Sequence, residues 1–355
     1  MQKYEHIAKI IHTRVKKGDY ALRSVPAERQ LASEVGVSYM TVRRAVQELV
    51  AKGILVRLSN GRLGVGRASD GTGPRLQLGL LAPTFNSPVV EQWRIAIESA
   101  AETYKSVVRP VLYMHWDDPI LQDSLEGFDG VFLVPIPDAI PPRVTERLMS
   151  AKRLVMVDHD MSHLGIPSIQ LFPPVFVQRL LDHLAALGHQ RIDCLNVHSL
   201  HPVIEQRIKQ WQIWCRVHGY EGQLFQGQTK PHEAPYAVAY RTFKRLLDEK
   251  RFHATALLCV TAPAAIGAMR ALHEQGIQPG RDVSVCAVNS ESMGETLIPS
   301  LTALEAPDPT PYVAECVDWM ADSQKNWVGP LLVQPAEIPL VARESTGKVP
   351  TSPTR

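Results

Sequence analysis

Sulfur chemistry is nearly missing from this chain. Its cysteines, Cys194, Cys215, Cys259, Cys286 and Cys316, are odd in number, far apart and set among apolar neighbours. That spacing excludes a disulfide framework and any CxxC-type zinc or redox motif, and leaves reduced core residues. No run of 18 or more apolar residues occurs, so no helix is expected to cross a bilayer. The first residues lack the charged-then-apolar pattern of a leader, and the expectation is a soluble, cytoplasmic chain. Also missing are an HExxH helix, a nucleophile elbow and a phosphate loop, since no helix follows the glycines of Gly61 to Gly66. Asp158-His159-Asp160 with His163, and His198 with His201, have metal-like composition. Without a ligand framework they read as polar loop residues. Neither catalysis nor a bound metal or cofactor is expected.

Net charge is also small, but its distribution is uneven. Residues 1–67 hold 13 Lys plus Arg against 5 Asp plus Glu, a net of +8. The other residues hold 25 basic and 31 acidic side chains, a net of −6, which together give the overall +2. A basic head on an acidic body favours a polyanion partner for the head alone, because neutralising phosphates releases counterions. With 355 residues, two or three folding units are expected.

Within the head, the stretch from Ser38 to Gly53 organises the rest. Val42, Ala45, Val46, Leu49 and Val50 recur at the spacing of one buried helix face, with Ser38 placed as an N-cap and Gly53 as a stop. The opposite face carries Tyr39, Met40, Arg43, Arg44 and Gln47, and an arginine there can bond guanine in a major groove. A first helix is predicted from Tyr4 to Lys17 and a short second one from Val25-Pro26 through Glu34, with Gly36 in the tight turn. This is the unit that aims a second helix into DNA. After Gly53, two short alternating runs flank Ser59-Asn60-Gly61, a hairpin signal that needs positive φ. Arg57 and Arg62 beside its tip make it a wing able to touch DNA backbone or minor groove.

Residues 4–66 resemble the winged-helix DNA-binding domain of the GntR family of bacterial repressors. The resemblance is carried by Pro26 to Ala32, Gly36-Val37-Ser38, Thr41-Val42-Arg43, Leu49 through Gly53 and the glycine-bearing wing. It implies that Arg29 and Thr41 hold phosphates, that Ser38 caps its helix and contacts backbone, and that Arg43 reaches bases. Ala27 stands where the family usually has a capping serine and Tyr39 where arginine is frequent, so no operator sequence is carried over from relatives.

Arg67 to Pro74 is small, polar and aperiodic, a linker over 67–75. Beyond it, apolar strands alternate with helices. Strands are predicted at 76–81, 107–114, 130–134 and 154–157, with helices at 89–104 and 144–151. After Pro173-Pro174 the alternation restarts. Helices are predicted at 175–187, 206–218, 235–249 and 264–275, and strands at 191–196, near Leu224, at 256–260 and 283–288. Continuous apolar strands alternating with helices argue for parallel sheets covered on both faces, with ligands at the strands' carboxyl ends.

Residues 76–346 resemble the effector-binding domain of the LacI family, itself similar to periplasmic sugar-binding proteins. The carrying runs are Leu187-Gly188-His189-Gln190-Arg191-Ile192, Gln206-Arg207, Ala265 to Ala268 with Gly276 and Pro279, and Val283-Ser284-Val285. Pro299 to Leu304 and Leu340 to Thr346 complete them. The resemblance implies two lobes, about 76–170 with 304–328 and about 171–303 with 329–346, crossed near Leu171, Leu304 and Val328. The tail 347–355 is expected to be disordered. Arg207 matches the family's ligand-facing arginine. Thr261-Ala262 replaces an Asn-Asp pair, Asn289 replaces an Asp, and Phe172 stands where the first crossing commonly carries Asp. Fewer carboxylates beside a retained arginine shift the expected effector from neutral sugars toward anionic or less polar metabolites. Strand ends of the first lobe add Phe85, Asn86, Trp116, Asp158 and His159 as cleft candidates.

The chain is thus expected to be a homodimeric transcriptional regulator, a repressor by family habit. Two winged helices would bind a near-palindromic double-stranded operator while the body binds a small effector. Two alternatives stay open: a body that only dimerises, and an enzyme-like body with a DNA-binding head.

Overall fold

The computed structural model describes residues 3–20, 25–57, 61–66, 76–84, 87–136, 138–230, 233–305, 307–322 and 326–350. Wholly or partly outside these fall the expected linker at 67–75, Asn60 of the wing tip, and the cleft candidates Phe85 and Asn86. The head opens with α1 (Lys3–Lys16), α2 (Glu28–Val35) and α3 (Tyr39–Ala51), and ends with β1 (Leu55–Arg57) and β2 (Leu63–Val65). Gly36 closes α2 at φ 67°, a left-handed conformation that glycine adopts without steric cost. Val42, Val46 and Leu49 are at most 2% exposed, and each contributes about 1.5–3 kcal/mol by burial. That exceeds the ~1 kcal/mol of a helix cap, so packing against Ile11, Leu31, Leu55 and Leu63 decides where α3 lies. The wing strands pair antiparallel with Leu55 opposite Val65 and Arg57 opposite Leu63. Where the chain leaves the wing, Gly66 donates to the Ile54 carbonyl at 2.8 Å. A Cβ at Gly66 would lie 2.0 Å from the Gly53 oxygen, so only glycine passes there.

The body alternates strand and helix. First come β3 (Gln77–Pro83), α4 (Pro88–Thr103), β4 (Val107–Tyr113), α5 (Pro119–Gly127), β5 (Gly130–Leu133), α6 (Pro142–Ser150), β6 (Leu154–Val157) and β7 (Ser168–Ile169). There follow α7 (Val177–Ala186), β8 (Ile192–Asn196), α8 (Pro202–His218), β9 (Leu224–Gln226), α9 (Pro235–Asp248), β10 (Ala256–Cys259), α10 (Ala262–Glu274), β11 (Ser284–Ala287) and β12 (Thr302–Leu304). The chain closes with α11 (Thr310–Ala321), β13 (Leu332–Val333) and β14 (Leu340–Val341). One sheet has the order β13-β7-β6-β5-β3-β4 and is parallel throughout. The other, β14-β12-β11-β10-β8-β9, is parallel except for its edge strand β14. Strands of four fully buried residues, such as β5, β6, β10 and β11, are what helices on both faces require.

By its internal contacts the chain divides into two compact units. One comprises residues 1–136, 140–169 and 308–333, and the other 137–139, 170–307 and 334–355. The third crossing therefore follows Val333 rather than Val328, because Leu332 and Val333 pair with Ser168 and Ile169. The expected disordered tail also needs correction over Gly347 to Pro350. Buried His189 bonds Thr255 Oγ1 at 2.8 Å, Ser284 Oγ at 2.9 Å and the Gly347 carbonyl at 3.1 Å. Val349 N donates to the Leu187 carbonyl at 3.0 Å. Ser345 Oγ donates to the Val285 carbonyl and accepts from Thr302 N, so the closing segment is stitched into the second sheet.

In the second unit α10 lies against α9 through Gly267. A Cβ there would meet the Tyr236 carbonyl at 2.4 Å and the Tyr240 amide at 2.5 Å. Backbone cannot yield as a side chain does, so Gly267→Ala is expected to lower the unfolding free energy by about 1–3 kcal/mol. Urea denaturation of the two proteins measures this, and equal midpoints would mean that the helices tolerate greater separation.

Candidate functional site

Ser38 begins α3 as its sequence position requires. Its hydroxyl accepts from Thr41 N at 3.3 Å and bonds Thr41 Oγ1 at 2.8 Å. With the apolar face of α3 buried, Tyr39, Met40, Arg43 and Gln47 are left exposed, Met40 at 66%. A long donor, an aromatic ring and an amide thus share one open helix face. Beside it lies a groove of about 1000 Å³ between the start of α2 and the wing, lined in part by Arg29, Tyr39, Arg57 and Arg62. Gly61 at the wing tip has φ 77° and is exposed, as is Arg62.

The arginines of the head do not all serve that face. The Arg44 guanidinium lies 4.1 Å from the centroid of the Tyr4 ring, joining α3 to α1. Arg57 pairs with Glu28 at 2.5 Å, tying the wing to the first turn of α2. Both were expected to meet DNA, and both stay exposed while also holding a protein partner. Arg43 and Arg29 are exposed on α3 and α2.

In the second unit, polar groups gather at the carboxyl ends of β8, β10 and β11. Arg207, 8% exposed, reaches from α8 and donates to the Val260 carbonyl at 2.9 Å. His198 Nε2 meets Thr261 Oγ1 at 3.0 Å, and Asn196 brackets the His198 backbone through both of its side-chain amide atoms. Burial, then the neighbouring Arg207 charge, pushes His198 down to about 4, so the imidazole is neutral at physiological pH. Burial pushes Glu291 up to about 7, and Arg207 opposes that rise. Glu291 and Ser292 both hold positive φ, at 49° and 60°. Ser290 Oγ donates to Glu305 at 2.8 Å, and Arg343 holds the same carboxylate at 2.9 Å. Arg207 and Thr261 thus lie among the same strand ends, one bonded to the Val260 carbonyl and the other to His198. Asn289 is corrected, because its Oδ1 accepts from Ala262 N at 3.1 Å and caps α10 instead of presenting an acceptor. Sequence reasoning missed His198, Ser290 and Glu291 as parts of this cluster. Their one signal was position just past a strand end.

First-lobe candidates fare differently. Trp116 is 4% exposed and packs in the core, its ring centroid 5.8 Å from that of Tyr113. It is a core residue, not a cleft wall. Phe172 packs against the core of the second unit. Asp158 and His159 end β6 half-buried, Asp158 at φ 60°, and burial lowers the pKa of His159. Asp160 accepts from Ser162 N at 2.9 Å and Ser162 Oγ at 2.6 Å, closing the following turn. Among the described residues no group of His, Cys, Asp and Glu could hold a metal ion, and no helix is long and apolar enough to cross a membrane.

Residues 3–65 match the bacterial regulatory proteins of the gntR family, and residues 181–346 match the periplasmic binding protein-like domain. The chain joins a gntR-family head to a periplasmic binding protein-like body. The lactose operon repressor of Escherichia coli (strain K12) is 27% identical over 130 residues, 35% of this chain and 33% of that protein. The match thus spans about a third of that repressor's length. A lac repressor dimer bound to operator and the anti-inducer ONPF superposes with TM-score 0.64 at 22% identity, covering 78% of this chain and 96% of that one. A LacI family transcriptional regulator from Enterococcus faecium with bound ribose gives 0.64 at 20% identity, covering 79% and 100%. These relatives are transcription regulators, not enzymes. At such identities the solved structures share the fold of this gntR-headed chain. Its ligand chemistry has to be read from its own side chains.

Glu291 titrates the body in a defined direction. Its pKa is about 7 when folded against an ordinary 4.5, so its stabilising contribution is complete below pH 4.5 and disappears as pH rises through about 7. Glu291→Gln is expected to melt higher than the parent at about pH 8 and to converge with it at about pH 4. Melting curves at the two pH values check this, and a constant offset would mean that Glu291 ionises normally.

Proposed function

We propose that this protein is a ligand-responsive transcriptional regulator that binds double-stranded DNA through α3. One observation carries the reading. The open face of α3 presents Arg43 with Tyr39, Met40 and Gln47, while Val42, Ala45, Val46 and Leu49 fix the other face in the head core. An arginine so placed can bond guanine O6 and N7 together, while Arg29 and the wing's Arg62 stand where phosphates would pass. The head's net charge of +8 supplies the sequence-independent attraction. Two copies related by a two-fold axis would read a near-palindrome. Repression of the target is the action of the lactose operon repressor that the body is similar to.

The effector reading rests on the strand-end cluster of the second unit. Arg207 supplies a buried positive charge, neutral His198 and Thr261 supply hydrogen bonds, and a protonated Glu291 adds a donor near neutral pH. That set suits a small metabolite bearing a carboxylate or phosphate. For such a ligand to control DNA binding it must bind two states of the protein with different affinity.

Fluorescence anisotropy on the promoter fragment of the protein's own operon, against random DNA, tests the head. Arg43→Ala is expected to weaken specific binding by roughly tenfold or more while leaving random binding little changed. Arg44→Ala is expected to keep the ratio of the two affinities. Equal selectivity of parent and Arg43→Ala would remove α3 from base contact. For the body, sugar acids and sugar phosphates are expected to raise the apparent melting temperature, since they bind only the folded state. Arg207→Gln is expected to abolish the shift, and a panel of anionic sugars without effect on the parent would overturn the effector reading.

A further inference from the structure

The second unit carries a pocket that the strand-end cluster does not use. It lies between the turn at Pro174–Phe176, the side of α8 bearing Gln206 and Gln210, and the segment Gln334 to Ala336, with a volume of about 560 Å³. Cavities of ~300–1,000 Å³ hold small molecules rather than polypeptide. Four of its lining residues, Gln170, Gln206, Gln210 and Gln334, are glutamines, and none of the described lining residues is charged, in a chain whose residues are 21% charged.

The chemistry of that lining is specific. An amide donates and accepts at once, as a hydroxyl does, so four of them complement a ligand dense in hydroxyls. A carboxylate or phosphate would instead lose water there and gain no counter-charge. Phe176, whose ring has the Arg179 guanidinium over it at 5.4 Å, and Pro335 add apolar surface to the lining. Gln170 is only 5% exposed, yet it lines the pocket from the start of the first crossing. The Gln210 carbonyl accepts from Gln178 Nε2 at 3.1 Å, which orients that amide on α8.

Two of these glutamines also stand at crossings. The first unit ends at Ile169 and again at Val333, which pair in parallel register, and Gln170 and Gln334 are the residues that follow. We propose that this pocket is a second small-molecule site, for an uncharged, hydroxyl-rich ligand of saccharide or polyol type, which ties two of the chain crossings to α8. The site is separate from the Arg207 cluster and does not depend on DNA binding.

Isothermal titration of the full-length protein with maltose, sucrose, trehalose and sorbitol tests it. At least one of these neutral probes is expected to bind the parent. Gln206→Glu and Gln334→Glu alter exposed residues on two different segments of the lining, and each is expected to weaken that binding by about tenfold. Arg207→Gln is expected to leave it within about twofold. Melting temperatures of the two glutamate variants equal to the parent's separate loss of binding from loss of fold. No heat from any neutral probe would overturn the proposal. So would binding that survives both glutamate variants but disappears in Arg207→Gln, because the ligand would then sit at the strand-end cluster.

Discussion

A helix with apolar residues every third and fourth position can bury only one side, and the head is built on that constraint. Once Val42, Ala45, Val46 and Leu49 enter the core formed by α1, α2 and the wing, Arg43 has nowhere to go but outward. The same core sets the angle at which α2 and the wing flank α3, and so frames the groove beside Tyr39. Charge then acts on a surface already shaped by packing. This ordering explains why the arginines of one helix differ in role. Arg43 is carried to the open side, whereas Arg44, one position on, rotates far enough to lie over Tyr4.

In the body, strand direction does the equivalent work. Parallel strands bring their carboxyl ends to one edge, so residues distant in sequence, such as Asn196, Thr261 and Ser290, end up near one another. Polar groups collected there are half-buried, and that burial, more than any partner, moves His198 down and Glu291 up. Arg207 enters from a helix and adds the one positive charge that both groups feel. The closing segment supports this edge through the Arg343–Glu305 pair, and from Arg343 to Gly347 it also ties down the opposite, amino ends of β12 and β11 through Thr302 and Ser284. Several runs that mark the resemblance to the LacI family, including Leu187-Gly188-His189 and Ser345-Thr346, belong to that scaffold and not to a ligand contact.

Legibility followed the length of the periodic signal. Most amphipathic helices and the four-residue apolar strands were readable, because burial of one face or of every residue leaves a clear pattern. The helix α11 was not read, although Val313, Cys316, Val317 and Met320 repeat on its buried face, and neither was α5. The helix α5 opens with Asp118 capping Ile120 N at 3.1 Å and buries only Leu121 and Ser124, too few to repeat. The short strands β7, β12, β13 and β14 were missed for want of a repeat, and with β13 the position of the third crossing. Trp116 shows a different failure: an aromatic just past a strand end reads equally as cleft wall or core, and only its neighbours decide.

The amino-acid order alone determined that a basic three-helix head precedes an acidic α/β body, since periodicity, glycine stops and charge are local properties. It also determined which face of α3 is polar, because helical geometry converts spacing into direction. Tertiary structure decided which polar residues are occupied and which are open. Arg57 is held by Glu28, Asn289 by the first amide of α10, and Gln170 is enclosed in the pocket beside Phe176. Those outcomes depend on contacts between segments tens to hundreds of residues apart, and no local pattern encodes them.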